Sequence, residues 1–110
     1  MEVRLMIKII SSKVAARKTI KARLQKEIPP INEKIKEAME NGEIRIFCDE
    51  KLSEPTVKML KKAGYVVEGW NTLGVKTEIA WYRSYDKLCE NQAEVEKMAK
   101  EVNLEIVEVQ

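Results

Sequence analysis

The residues best suited to chemistry are aromatic rings and guanidinium groups in the second half of the chain. Five of the six aromatic residues fall within 21 residues, from Tyr65 to Tyr85, and Arg83 lies among them. An indole or phenol ring stacks on a base, and an Arg guanidinium donates two parallel hydrogen bonds to a phosphate. This combination is typical of a nucleotide pocket or a single-strand platform. The candidate ligand-binding residues are Arg17, Lys21, Arg45, Trp70, Trp81, Tyr82 and Arg83.

The same rings have a second interpretation as packing residues. On an alternating strand, Trp81 and Arg83 share a face with Ile79, whereas Ala80 and Tyr82 lie on the opposite face. One Trp side chain then belongs to the core, or the rings pack between subunits. The sequence alone is compatible with both interpretations.

Most catalytic chemistries lack the residues that they need. The chain has no His, which removes the usual general base and the commonest metal ligand. Cys48 and Cys89 are too few for a disulfide framework and too isolated for a metal site, so both are predicted to be reduced structural residues. The chain contains no nucleotide-binding or hydrolase motif. We therefore predict no enzyme activity, no metal and no cofactor.

Charge is distributed unevenly, although the net charge is only +2. Bases minus acids give +7 for residues 1–26, −1 for residues 27–83 and −4 for residues 84–110. The basic segment predicts either an anionic ligand, if the segment folds back over the aromatic residues, or charge-complementary contact between copies of the chain. A solvated helix face is the alternative. Nucleic-acid binding is the weaker expectation, because it usually needs a broader basic surface.

Length and composition fit one small domain over residues 1–110. The chain is 45% hydrophobic and 35% charged, with only 4 Gly and 3 Pro. No apolar stretch is long enough to cross a membrane, and no secretory pattern is present. We therefore expect a cytoplasmic protein that makes no membrane contact.

The chain is predicted to open with a strand. Apolar residues alternate with others from Val3 to Ile9. Met6 is an equally good natural start, in which case residues 1–5 are an extension. Ser11 or Ser12 then supplies the N-cap hydroxyl of a helix.

A long first helix and a short strand follow. The apolar stripe of the helix runs from Ile20 to Met39 at spacings of three and four residues. Pro29-Pro30 either kinks the helix or splits it, because proline removes a helical hydrogen bond. Asn41-Gly42 ends the helix, and residues 43–48 alternate as a strand.

The second half is predicted to contain two helices and up to three strands. A helix capped by Ser53 ends at Gly64, and strands 65–70 and 77–83 follow, joined by residues 71–76. Ser84 caps a last helix that stops at Asn103. Residues 104–109 pair as an edge strand or lie across another copy.

These elements predict an α+β fold with a small antiparallel or mixed sheet and three helices. The order is β-α-β-α-β-β-α-β, and the first helix is long, with a kink expected at Pro29-Pro30 if it is not split there.

Four segments resemble a group of small phage proteins. They are ENGEIRIF at 40–47, DEKLSE at 49–54, KKAGYVVE at 61–68 and TEIAW at 77–81, and the likeness spans residues 31–82. Some proteins of this group are sponges of the anti-CBASS type, which form oligomers and sequester cyclic nucleotide signals of host immunity without cleaving them. The resemblance implies a homo-oligomeric nucleotide binder in the host cytoplasm.

Three functional hypotheses follow from these observations. The first is a phage-encoded sponge for an anionic cyclic nucleotide. The second is a phage inhibitor or assembly protein that acts through protein–protein contact, and the third is a weak nucleic-acid binder.

Overall fold

A computed structural model of the chain describes residues 6–72 and 74–107, without the side chains of residues 70–72. These residues form four helices and three strands. In chain order they are α1 (Ser12–Glu40), β1 (Arg45–Cys48), α2 (Glu54–Lys62), β2 (Val66–Thr72), β3 (Val75–Ala80), α3 (Tyr82–Cys89) and α4 (Gln92–Glu101). The predicted α+β class is confirmed, whereas the order of elements differs at both ends.

The strands form one antiparallel sheet in the order β1-β3-β2. Ile79 of the central strand pairs with Ile46 on one side and with Val67 on the other. Because side chains alternate along a strand, Ile46, Cys48 and Ile79 share one face, and all three are buried in the core. The opposite face carries the exposed Arg45.

α1 is one helix of 29 residues that includes Pro29-Pro30. Of the two alternatives expected at this pair, a kink or a split, the split is therefore excluded. Ile31, Ile35 and Ala38 follow the pair and are buried against the rest of the core, which holds the helix in place. Both prolines and the preceding turn at Gln25 are exposed, so water can bind carbonyl groups that lack a helical donor.

Local capping signals set several helix ends as predicted. The Ser11 hydroxyl accepts a hydrogen bond from the Val14 N–H at 3.3 Å, so Ser11 and not Ser12 is the N-cap of α1. Gly42 adopts a φ of 74° after the last turn, a left-handed conformation that glycine tolerates. Ser53 occupies the N-cap position of α2, with proline in the first turn, but its hydroxyl makes no cap hydrogen bond and donates to Glu27 instead.

The β2–β3 hairpin is tighter than predicted. Strand β2 continues to Thr72 and β3 begins at Val75, so most of the expected 71–76 connection belongs to the strands. The strand expected to reach Arg83 ends at Ala80. Trp81 is the N-cap of α3, so the expected cap at Ser84 is wrong and Ser84 lies inside the helix.

The expected last helix is two helices. The Asn91 side chain accepts a hydrogen bond from the Glu94 N–H at 3.3 Å and so caps a second start. Asn91-Gln-Ala-Glu94 has the spacing of a capping box, a signal in the sequence that the prediction did not use.

The two expected terminal strands are not present in the described residues. Residues 6–11 and 104–107 have no regular structure, and the rest of each predicted strand lies outside the described residues. A strand needs a hydrogen-bonded neighbour, and neither segment pairs with β1 or β2, the two edges of the sheet.

The described residues extend along one long axis, with dimensions of 99 × 38 × 20 Å. The core lies between the sheet, α2 and the second half of α1. Over residues 6–72 and 74–107, no helix has both the length and the apolar character to cross a bilayer.

Candidate functional site

Trp81 and Tyr65 meet where the sheet passes into α3. The Trp81 backbone N–H donates a hydrogen bond to the Ile44 carbonyl at 2.9 Å. The two rings are edge to face, with planes at 90° and centroids 6.0 Å apart. Both side chains are half-buried and pack against the core. Trp81 therefore has a packing role, and only part of its surface is open to a ligand.

A small cavity lies beside this ring pair. Its volume is about 180 Å³, and Ile35, Met39 and Ser84 line it together with the two rings. Sites for small molecules usually measure about 300 to 1,000 Å³. The cavity of one chain is therefore too small to enclose a whole nucleotide.

Tyr82 and Arg83 occupy the first turn of α3. The Arg83 guanidinium carbon is 6.0 Å from the centroid of the Tyr82 ring, at the outer limit of a cation–π contact. Tyr82 is half-buried and Arg83 is exposed. Within the described residues no ion pair uses Arg83. These two side chains present a ring and a guanidinium side by side.

Arg45 is held by Glu78 on the outer face of the sheet. Arg45 Nη1 lies 3.2 Å from Glu78 Oε1. The Glu78 side chain is only 9% exposed, whereas the Arg45 side chain is 48% exposed. A buried carboxylate is costly without its cation. An anionic ligand at Arg45 would therefore have to compete with Glu78.

Arg17 and Lys21 lie on the first half of α1, away from the rings. Every residue from 12 to 23 is exposed. Helical rise places Lys21 about 21 Å along the axis from Ile35, which borders the Trp81 cavity. Since α1 is continuous, the basic segment does not fold back over the hairpin, and one chain does not bring these bases to Trp81.

Trp70, the remaining candidate, lies in β2. Its side chain is outside the described part of the structure. The other six candidates divide into a group near the start of α3, a residue paired across the sheet and two distant bases.

A contact between α1 and α2 was missed by the sequence prediction. Glu27 accepts hydrogen bonds from the Ser53 N–H at 2.7 Å and from the Ser53 hydroxyl at 2.6 Å. Burial raises the pKa of Glu27, but these hydrogen bonds and the charge of Arg23 outweigh it, so the pKa is lowered. Glu27 lies within the apolar stripe, between Leu24 and Ile31, which is the signal that could have identified it.

An apolar groove between α1 and α2 was also missed. Its volume is about 500 Å³, and its lining includes Leu24, Ile28, Met59, Ala63 and Tyr65. Met59 is 51% exposed. No role was predicted for this methionine from the sequence.

The two thiols have different surroundings. Both are free, Cys48 in the core and Cys89 on the surface. Burial raises the pKa of the Cys48 thiol above its usual value, and the charge of Lys34 offsets only part of this rise. Cys48 has the structural role predicted for it, whereas the exposure of Cys89 contradicts that role. The described residues contain no cluster of three metal-ligating side chains.

Comparison of the chain with protein-family models, curated proteins and solved structures finds no match.

Proposed function

We propose that the protein is a non-enzymatic binder that captures an anionic nucleotide. The observation that carries the proposal is the positive charge on the first half of α1 and the residues just before it. From Met6 to Lys26 the chain has seven bases and no acid. None of the three ion pairs within the described residues uses one of them. The bases are Lys8, Lys13, Arg17, Lys18, Lys21, Arg23 and Lys26.

The start of α3 supplies a second binding surface, which does not meet the bases of α1 within one chain. Tyr82 offers a ring face for a base, and the exposed Arg83 beside it offers a guanidinium for a phosphate. The resemblance to phage sponges supports a cyclic dinucleotide or trinucleotide of host immunity as the ligand. In this proposal the protein acts by sequestering that ligand in the host cytoplasm.

Thermal unfolding with and without a cyclic dinucleotide or trinucleotide tests the proposal. A ligand that binds only the folded state adds about 2.7 kcal/mol at a hundredfold excess over its Kd. We expect a Tm increase of several degrees and recovery of the nucleotide intact by chromatography. No shift with any of these nucleotides at millimolar concentration contradicts the proposal, and a cleaved product contradicts the non-enzymatic role.

Matched variants locate the site. Arg17→Gln combined with Lys21→Gln should reduce the Tm shift, and Tyr82→Leu should do so separately. Lys58→Gln combined with Lys62→Gln removes the same charge from exposed positions of α2 and should leave the shift unchanged. Equal losses in both double variants would mean that the ligand responds only to net charge.

A second candidate function is inhibition or assembly through protein contact. The groove beside Tyr65 supports it, because an apolar surface with an exposed methionine is typical of protein interfaces. This hypothesis predicts a stoichiometric partner in lysate of phage-infected host cells. Met59→Glu should abolish its recovery, and Lys58→Gln should not.

A further inference from the structure

The apolar groove between α1 and α2 is accessible from water. α1 lines it with Leu24 and Ile28, and α2 lines it with Met59 and Ala63. Ile28 is half-buried and Met59 is 51% exposed. Among the described residues, no charged side chain lines the groove. A third helix can pack in such a space, because its side chains fit between those of the two helices.

The helix face that lines the groove continues along α1 as a basic face. Gln25 and Ile28 line the groove from α1. Steps of three and four residues back along the same face reach Lys21, Lys18 and Arg17, which are all exposed. None of the three ion pairs in the described part of the chain uses these bases. The surface is therefore apolar at the groove and cationic beyond it.

The charges around this surface select an acidic partner. From Lys13 to Lys26, α1 has six bases and no acid. On α2, Lys62 lies one turn after Met59, at the outer rim of the groove. At the other end of the groove, Glu33 and Lys36 pair at 3.6 Å, and their charges cancel. Since opposite charges favour encounter and fix orientation at an interface, the partner carries carboxylates beside its apolar side chains.

A second copy of the chain offers no such helix within its described residues. The second half of α1 already packs its apolar face on its own core. The α3–α4 pair, residues 82–101, has four bases and five acids and is nearly neutral. α2 has three bases and one acid. The occupant of the groove is therefore a helix of a different protein.

The groove also separates a protein partner from other anionic partners. Nucleic acid offers phosphates to the bases, but its backbone leaves Leu24, Ile28 and Met59 without an apolar contact. An anionic bilayer is flat, whereas the groove lies between two helices and has a volume of about 500 Å³. Amphipathic helices bury apolar side chains in grooves of this kind and keep their charged residues at the rim.

We infer that the apolar groove and the basic face of residues 17–21 together bind an acidic amphipathic helix of a partner protein. Residues 17–32 of α1 span about 22 Å, so a partner helix of about 15 residues covers both parts. Its apolar side chains, three and four residues apart, contact the floor of the groove, and its carboxylates face the bases. The inference rests on the second candidate function, protein contact, and names the class of partner.

Two synthetic peptides of about 16 residues test the inference by fluorescence anisotropy, without any nucleotide. Both carry leucine at every third or fourth position, and the flanking positions are glutamate in one peptide and lysine in the other. The glutamate peptide should bind at least about tenfold more tightly than the lysine peptide, and its binding should weaken as salt is raised. Lys18→Glu with Lys21→Glu should weaken binding of the glutamate peptide at least about tenfold and strengthen binding of the lysine peptide.

Matched variants separate the groove from general effects of polarity and charge. Met59→Ser removes an apolar side chain from the groove without changing charge and should weaken the glutamate peptide at least about fivefold. Val95→Ser makes a similar change on α4, and Lys97→Glu with Lys100→Glu reverses two charges there. Both control variants should leave peptide binding unchanged. Helical content by circular dichroism should be equal in all variants.

Five results would overturn the inference. The first three are a glutamate peptide that binds no tighter than the lysine peptide, binding that is indifferent to Met59→Ser, and an equal loss in the α4 charge variant. The fourth is self-association that Met59→Ser abolishes, which would place a second copy in the groove. The fifth is a single-stranded oligonucleotide that binds more tightly than the glutamate peptide, which would assign the bases to nucleic acid.

Failure of the inference is distinguishable from failure of the function on which it rests. A stoichiometric lysate partner whose recovery depends on Met59, together with no binding of the glutamate peptide, would overturn the acidic helix and leave the contact function. Binding of the glutamate peptide without any lysate partner would contradict the contact function alone.

Discussion

The two halves of α1 share one helical geometry and have opposite surroundings. In the second half, Ile31 and Ile35 are 3% and 5% exposed, and they lie in the core with β1 and α2. In the first half, Val14 and Ile20 are more than 40% exposed. Apolar spacing thus identifies the face of a helix that needs a partner. It does not say whether the partner lies on the same chain.

The largest difference is expected between matched Ile→Ala changes in the two halves. Ile35→Ala removes a buried side chain from the core and should lower the free energy of unfolding by about 2 to 5 kcal/mol. Urea unfolding followed by circular dichroism measures this loss. A loss below about 1 kcal/mol would show that the second half of α1 is not the packed half.

A smaller effect is expected at the join between the halves. Glu27→Gln replaces the carboxylate that accepts two hydrogen bonds from Ser53 and should cost about 1.5 kcal/mol at pH 7. Because the pKa of Glu27 is lowered from 4.5, its contribution is complete above that pH and is lost as the pH falls through the folded-state pKa.

The difference in free energy of unfolding between the unmodified protein and Glu27→Gln should therefore shrink as the pH is lowered below 4.5. Urea unfolding of both proteins at pH 7 and at acid pH measures it, and the other carboxylates cancel in the comparison. Ser53→Ala keeps the backbone N–H donor and should cost less than Glu27→Gln. A difference that grows in acid would reverse the sign of the assigned pKa shift.

Local signals in the sequence predicted the parts of the fold that depend on neighbouring residues. The spacing of apolar residues predicted the buried face of α1, and Ser11, Gly42 and Ser53 predicted the ends of helices. The start of α3 was harder to predict, because two positions, Trp81 and Ser84, compete for it. The chain enters α3 at Trp81 although Ser84 is the better cap by residue type. The Trp81 ring packs on the core, and the Trp81 backbone N–H donates a hydrogen bond to the Ile44 carbonyl.

Long-range pairing explains what the sequence could not predict about the candidate site. Arg45 meets Glu78 only because β1 and β3 are adjacent in one register, with Phe47 opposite Glu78. Nothing in the composition of either strand specifies that register. The distance between Lys21 and Trp81 likewise depends on whether the helix breaks at the proline pair.

The Arg45–Glu78 pair should contribute less than the Glu27 contact, because half of the Arg45 side chain is in water. Arg45→Gln should cost about 1 kcal/mol of stability. A double-mutant cycle with Glu78→Gln measures the coupling between the two side chains. Coupling near zero would free Arg45 for the ligand role that the sequence predicted.

The smallest effect on the folded monomer is expected at Ile20. Ile20→Ala changes an exposed residue of the unsupported half, and alanine has the higher helix propensity. The free energy of unfolding, measured with urea, should change by less than about 0.5 kcal/mol. A destabilisation equal to that of Ile35→Ala would place the partner of this half on the same chain.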